Sequence, residues 1–334
     1  MANLRAGLIG MGMMGRNHAR VLSSLDGVDL VGVADEGNAQ LQQGVRAPLV
    51  RTVEELLALG VDYCVVAVPT YLHETIGLQL AEAGVHALVE KPLSQDTASA
   101  ERLALAFEAQ GLVGAVGHIE RYNPALQNAR ARIEAGELGR VYQVATRRQG
   151  PFPSRIADVG VTLDLASHDI DLTSWVVQQP YTTLSAQSAY RSGREHEDLI
   201  SATCLMGDGI VANHLVNWLS PLKERVTTIT GEKGALVADT LSADLTFYAN
   251  GTVQTTWAEI MRFRGVTEGD VTRYAIAKPE PLRVEHEQFR DALLGKDSDI
   301  VTMRQGLATV AVATALIESA RTRTTVTVPQ ELRA

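Results

Sequence analysis

The segment that most narrows the folds open to this chain is its N-terminal βαβ pattern. A short apolar run from Arg5 leads into Gly10-Met11-Gly12-Met13-Met14-Gly15. A helical stretch follows to about Leu25, then a second apolar run, Val28 to Ala34, which ends at Asp35. Strand, G-x-G-x-x-G turn, helix, strand and an acid twenty residues past the third glycine make a dinucleotide-binding unit. Gly10 permits the tight turn, Gly12 lets a pyrophosphate approach the backbone, and Gly15 lets helix and strand pack closely. The helix start then offers unpaired N–H groups and a positive dipole end. Asp35 sets the cofactor. A carboxylate there accepts from ribose hydroxyls and repels a 2′-phosphate, and no base follows until Arg46, so NAD is expected rather than NADP.

Strand and helix keep alternating to about residue 120. Asp62 to Val68, Val85 to Val89 and Leu112 to Val116 read as buried strands; His73 to Ala83 and Thr97 to Ala109 read as helices. Ligands of such sheets bind beyond the carboxyl ends of the strands. Pro69, Thr70, His73, Glu90, Lys91 and His118 fall on that edge. The rest of the 334 residues, 121–334, leaves room for a second domain. It opens with a helix capped by Asn123 with Pro124 at its first position, continues in short alternating runs with hairpin signals, and closes with two helices able to pack back on the first domain. Residues 257–280 lack periodicity and are expected to cross the active site as a loop.

Charge narrows the partners. Acids exceed bases, 39 to 30, for a net charge of −9, which argues against a nucleic-acid partner. Two distant cysteines, Cys64 and Cys204, support neither a disulfide framework nor a zinc site, and no metal is expected. No apolar stretch is long enough for a membrane span and no signal segment opens the chain, so a cytoplasmic protein is expected. Within these totals, Lys91 is the only lysine before residue 223. Residues 121–160 hold seven arginines against three acids, the pattern of a site for a small anion, with Arg121, Arg147, Arg148 and Arg155 outside the helix there.

Two features carry chemistry. Lys91 directly follows a buried strand and is fixed by Pro92; a snorkelling surface lysine is the plainer alternative. Asp164, His168 and Asp171 stand at i, i+4 and i+7 on one expected helix face with apolar neighbours. A partly buried histidine beside carboxylates suits a general base, with a satisfied structural histidine as the alternative.

Three motifs, Gly10-x-Gly12-x-x-Gly15, Glu90-Lys91-Pro92 and Asp164-x-x-x-His168-Asp-Ile-Asp171, give the whole chain a resemblance to the Gfo/Idh/MocA oxidoreductase family. The resemblance implies a Rossmann domain (1–120), then an α/β domain (121–334) with a large, mostly antiparallel sheet that often forms the oligomer interface, as a homodimer or homotetramer. It also implies hydride transfer between NAD(P) and a sugar or cyclitol carbon. Gly117-His-Ile-Glu-Arg-Tyr-Asn-Pro124 and Arg148 to Val161 resemble the branch with UDP-N-acetylglucosamine 3-dehydrogenases.

The expected mechanism places the nicotinamide near Pro69, His73, Glu90 and Lys91. His168 accepts the hydroxyl proton and Lys91 steadies the oxygen. Asp164 orients substrate or ribose, and Asp171 supports the helix. Arg121, Tyr122, Asn123 and Arg155 meet the substrate's anionic end. Inositol or free-hexose dehydrogenation is the alternative within the family, and a non-catalytic NAD- or sugar-sensing protein is the alternative outside it. Only twelve residues separate Asp35 from Pro48, fewer than the family's usual helix needs, which is expected to trim the adenine side of the cleft.

Overall fold

The computed structural model of the chain describes residues 3–37, 40–41, 43–153, 159–251 and 269–333. The first sheet holds β1 (Leu4–Ile9), β2 (Val28–Ala34), β3 (Leu49–Val50), β4 (Tyr63–Val66), β5 (His86–Glu90) and β6 (Gly114–Gly117). All pair in parallel, in the order β3-β2-β1-β4-β5-β6. Helices α1 (Met13–Leu22), α2 (Val53–Leu57), α3 (His73–Glu82) and α4 (Thr97–Ala109) make the crossovers. β4 is buried at every residue, as expected for a strand covered on both faces. The strand order reverses between β1 and β4, which opens a crevice beyond their carboxyl ends. No helix lies between β2 and β3 among the described residues, as the short Asp35–Pro48 segment implied.

The second sheet is larger. After α5 (Pro124–Glu134), β7 (Val141–Pro151) leads to a π-helical turn, Thr162–Ala166, and α6 (Ser167–Val177). Then come β8 (Tyr181–Ala189), β9 (Leu199–Met206), β10 (Val211–Asn217), β11 (Leu219–Gly231), β12 (Gly234–Asp239), β13 (Asp244–Ala249) and β14 (Val271–Arg273). Helices α7 (Pro281–Leu293) and α8 (Met303–Thr322) precede β15 (Val326–Thr327). The order is β14-β13-β12-β11-β7-β10-β9-β8-β15, antiparallel apart from the β7–β10 pair. Along β9, buried Ile200, Ala202, Cys204 and Met206 alternate with exposed Ser201, Thr203 and Leu205, so one face is covered and the other open.

Two helices lock the sheets together. The first half of α8 puts Met303, Leu307 and Val310 into the core beside the first sheet; its second half puts Val312, Ala313 and Leu316 into the other. Gly306 makes that seam close, because a Cβ there would lie 2.5 Å from Val116 Cγ2. α7 lies on α1, with His286 Nε2 2.9 Å from His18 Nδ1. The C-terminal helices thus do pack on the first sheet. Of the expected loop at 257–280, residues 257–268 lie outside the described ones. The rest runs along the outer edge of the second sheet, where Arg273 pairs with Asp244 and Tyr274 lies under Arg132, and does not line the cleft. No described helix is long and apolar enough to cross a membrane.

Candidate functional site

A cleft of about 870 Å³ runs from the glycine turn across the ends of β4 and β5 to α6 and β11. Its cofactor end is built by the N-terminal unit. Gly10 has φ +94°, and a Cβ on Gly15 would stand 2.0 Å from Gly10 O, so neither position admits a side chain without moving backbone. Nothing lies within 4 Å of a Cβ at Gly12, where the turn faces open space. Gly12 caps α1 without a side-chain bond, and no acid occupies the first turn, so the helix start keeps its donors for an anion. Asp35 accepts from Met11 N at 2.7 Å and from Gly37 N at 2.9 Å, which stations its carboxylate beside the turn. This cradle fits a dinucleotide: Gly10, Met11, Gly12, Met13, Met14, Asp35, Pro69, Thr70, Glu90 and Lys91 all line it.

Two expected cofactor residues stand behind the wall instead. Gly15 is the packing contact under Gly10. His73 is buried, with Nδ1 2.9 Å from Pro92 O and Nε2 3.0 Å from Val68 O. It ties together the segments that follow β4 and β5. Burial holds its pKa below the ordinary histidine range.

Lys91 and Asp164 meet across the cleft. Lys91 Nζ donates to Asp164 Oδ1 at 2.8 Å and to Asp164 O at 2.6 Å, and the Lys91–Pro92 peptide is cis. Asp164 therefore holds the lysine, a role different from the expected hold on substrate or ribose. Behind Lys91, Glu90 takes its backbone N–H at 3.1 Å and contacts His18 Nε2 at 2.9 Å, the first link of a buried chain that runs on to His286 on α7.

His168 lines the same cleft from the first turn of α6. Its Nδ1 is buried without a hydrogen-bond partner among the described residues. Burial first, then the charges of Lys91 and Arg148, hold its pKa well below the ordinary histidine value. The imidazole is neutral at neutral pH and able to take a proton. The acid limb of turnover is therefore expected below the ordinary value of about 6.5. A pH profile of kcat at saturating cofactor checks this; a limb at the ordinary value would contradict it.

Asp171 is not part of this group. The π-helical turn over Thr162–Ala166 lies between Asp164 and α6, whereas His168 and Asp171 are both in α6, and there a buried partner takes the Asp171 carboxylate. Asp171 points away from the cleft and accepts from Arg121 Nε at 2.8 Å and Nη2 at 2.7 Å.

That pair also corrects the expected anion site. Arg121 is buried and neutralised, Tyr122 is buried with its hydroxyl donating to Asp299 O at 3.0 Å, and Asn123 caps α5 and donates to Thr240 O at 3.0 Å. None of the three lines the cleft. Arg155 lies outside the described residues. Arg147 pairs with Glu224 at the surface. Arg148 does reach the cleft, locked between Asp169 (2.9 Å) and Glu120 (2.8 Å). Burial pushes Asp169 up to about 6, against the pull of Arg148. Cleft residues that the motifs did not indicate include Arg51, Lys223, Arg225 and Thr240. Lys223 carried a readable signal, being the first lysine after Lys91.

Comparison with known proteins places the two-sheet fold in a family. Residues 4–118 match the family model described as an oxidoreductase family with an NAD-binding Rossmann fold, and residues 126–237 match the GFO/IDH/MocA C-terminal domain. A UDP-N-acetylglucosamine 3-dehydrogenase of Acidithiobacillus ferrooxidans is 30% identical over 88% of this chain and 90% of its own length. The myo-inositol dehydrogenase Hyg17 of Streptomyces leeuwenhoekii is 30% identical over 80% of this chain and 84% of its own. A solved structure of the Acidithiobacillus enzyme superposes with a TM-score of 0.85, at 26% identity, over 96% of this chain and 99% of that one. With a glycine turn open to a dinucleotide and a matching domain pair, the chain belongs to the GFO/IDH/MocA family of NAD-binding oxidoreductases.

Proposed function

We propose that the protein oxidises a secondary hydroxyl of a sugar with NAD as acceptor, at C3 of a UDP-N-acetylhexosamine-type nucleotide sugar. The observation that carries the reaction is the placing of Lys91 and His168 on one cleft with the glycine turn. The 30% identity to a UDP-N-acetylglucosamine 3-dehydrogenase supports the substrate.

Bound NAD supplies the hydride acceptor. The chain's residues do the rest. An ammonium has three N–H groups, and Asp164 takes two from Lys91, which leaves one for the substrate oxygen. His168 takes the hydroxyl proton as that oxygen's negative charge grows, and Lys91 meets the charge. Val68, Ile119, Val159 and Leu165 give the cleft apolar walls that thin out competing water. The retained proton acceptor opposes a purely sensing role. The reading extends to a homodimer or homotetramer packed through the open face of the second sheet, which sedimentation would reveal.

The substrate test supplies NAD with nucleotide sugars, free hexoses and inositols and follows NADH. Turnover is expected with the nucleotide sugars. Turnover confined to inositols or hexoses would replace the substrate with that of the Hyg17-like relatives and keep the reaction.

A further inference from the structure

Beyond the reacting pair, two cations at the β11 end of the cleft are not used by the chemistry above. Lys223 and Arg225 stand two residues apart on β11 and both line the cleft, while Glu224 between them turns away to Arg147 and Gln149. The β11–β7 register shifts between Leu219 and Glu224, an irregularity of the kind that re-aims side chains. The Lys223 side-chain stem and the Arg225 guanidinium both lie beside Gly150 of β7. A Cβ there would lie 3.9 Å from Lys223 Cγ and 4.0 Å from each terminal nitrogen of the Arg225 guanidinium.

Their partners set them apart. Lys91, Lys233, Lys278 and Lys296 each donate to a carboxylate or carbonyl. Lys223 has no such acceptor among the described residues. Arg225 Nη1 donates to Gln149 O at 2.6 Å and to Glu224 O at 2.7 Å, but no described carboxylate takes its charge. The neighbouring Arg148 has two. Burial and the charge of Arg148 lower the Arg225 pKa, and the more distant carboxylates Asp169, Glu120 and Asp164 offset this only in part.

We infer that Lys223 and Arg225 bind an oxyanion carried by the sugar substrate, a diphosphate or a carboxylate, and so make the cleft selective for charged sugars. The guanidinium fork and the ammonium point charge are the two usual ways to hold such a group. The inference rests on the sugar-oxidising reading of the cleft and replaces Arg121, Tyr122 and Asn123 of the β6–α5 connection as the anion site.

The test titrates the NAD-loaded protein with UDP, UDP-N-acetylglucosamine and glucuronate, in the wild type and in the Lys223→Met/Arg225→Met double variant. At least one of these oxyanions is expected to bind the wild type. The double variant should bind it about 10- to 100-fold more weakly, and Lys223→Met alone, which alters an exposed side chain, about 10-fold. NAD affinity and melting temperature serve as folding controls. Binding of the UDP ligands identifies a diphosphate, and binding of glucuronate alone a carboxylate. The inference is overturned if none of the three binds the wild type, or if the double variant binds them equally well. Nucleotide-sugar turnover that survives intact in the double variant would sink the inference and keep the proposed reaction. Glucuronate binding lost in the double variant, with no nucleotide sugar turned over, would do the reverse.

Discussion

Replacing Lys91 by Met is expected to lower kcat by about 10²- to 10⁴-fold, the usual range for losing a positioned proton-transfer or charge-stabilising group. NAD affinity should change by about twofold or less, because the glycine turn and Asp35 hold the dinucleotide independently of the ammonium. The mechanism requires this separation: Lys91 meets charge that grows during reaction, so its loss should appear in kcat more than in KM. Asp164→Asn should move in the same direction by less, since the carbonyl of residue 164 still accepts from the ammonium. Steady-state kinetics with a separate NAD titration decide the matter. Unchanged turnover in the Lys91 variant would remove it from the chemistry, and a parallel collapse of NAD binding would make it a cofactor ligand.

Asp171→Ala is expected to cost about 3–5 kcal/mol of stability, the range for removing one partner of a buried ion pair. Both side chains are almost wholly buried, and Arg121 would be left with its fork unanswered inside the protein. Urea unfolding of the NAD-free protein measures the loss. Arg121→Met is expected to destabilise as well, with little change in KM for substrate in the folded fraction. A raised KM at unchanged stability would restore Arg121 to the substrate site.

The two mutations mark where the sequence could and could not be read. The parallel sheet was legible because strands buried on both faces appear as unbroken apolar runs, and the glycine turn ties them to a phosphate-binding helix start. Lys91 stood out because a lysine-poor chain places it at the ligand edge of that sheet. The same scarcity pointed at Lys223, but no general rule says which strand of a mixed sheet faces a ligand. The arginine-rich stretch misled for an electrostatic reason. Its acids come from outside the stretch: Asp171 is 50 residues from Arg121, and Asp169 and Glu120 lie 21 and 28 residues from Arg148. A charge count over a linear window cannot register partners supplied by the fold. The position of Asp171 was illegible for the same reason, since the guanidinium that claims its carboxylate comes from 50 residues away.

The central claim is that a secondary sugar hydroxyl, held between Lys91 and His168, is oxidised by NAD. UDP-N-acetylglucosamine carrying deuterium at C3 tests it most directly, with mass spectrometry of the NADH formed. The expected result is NADH that carries the deuterium, a 3-keto sugar, and loss of both signals in the Lys91→Met variant. NADH free of the label, or full label transfer by the variant, would contradict the account.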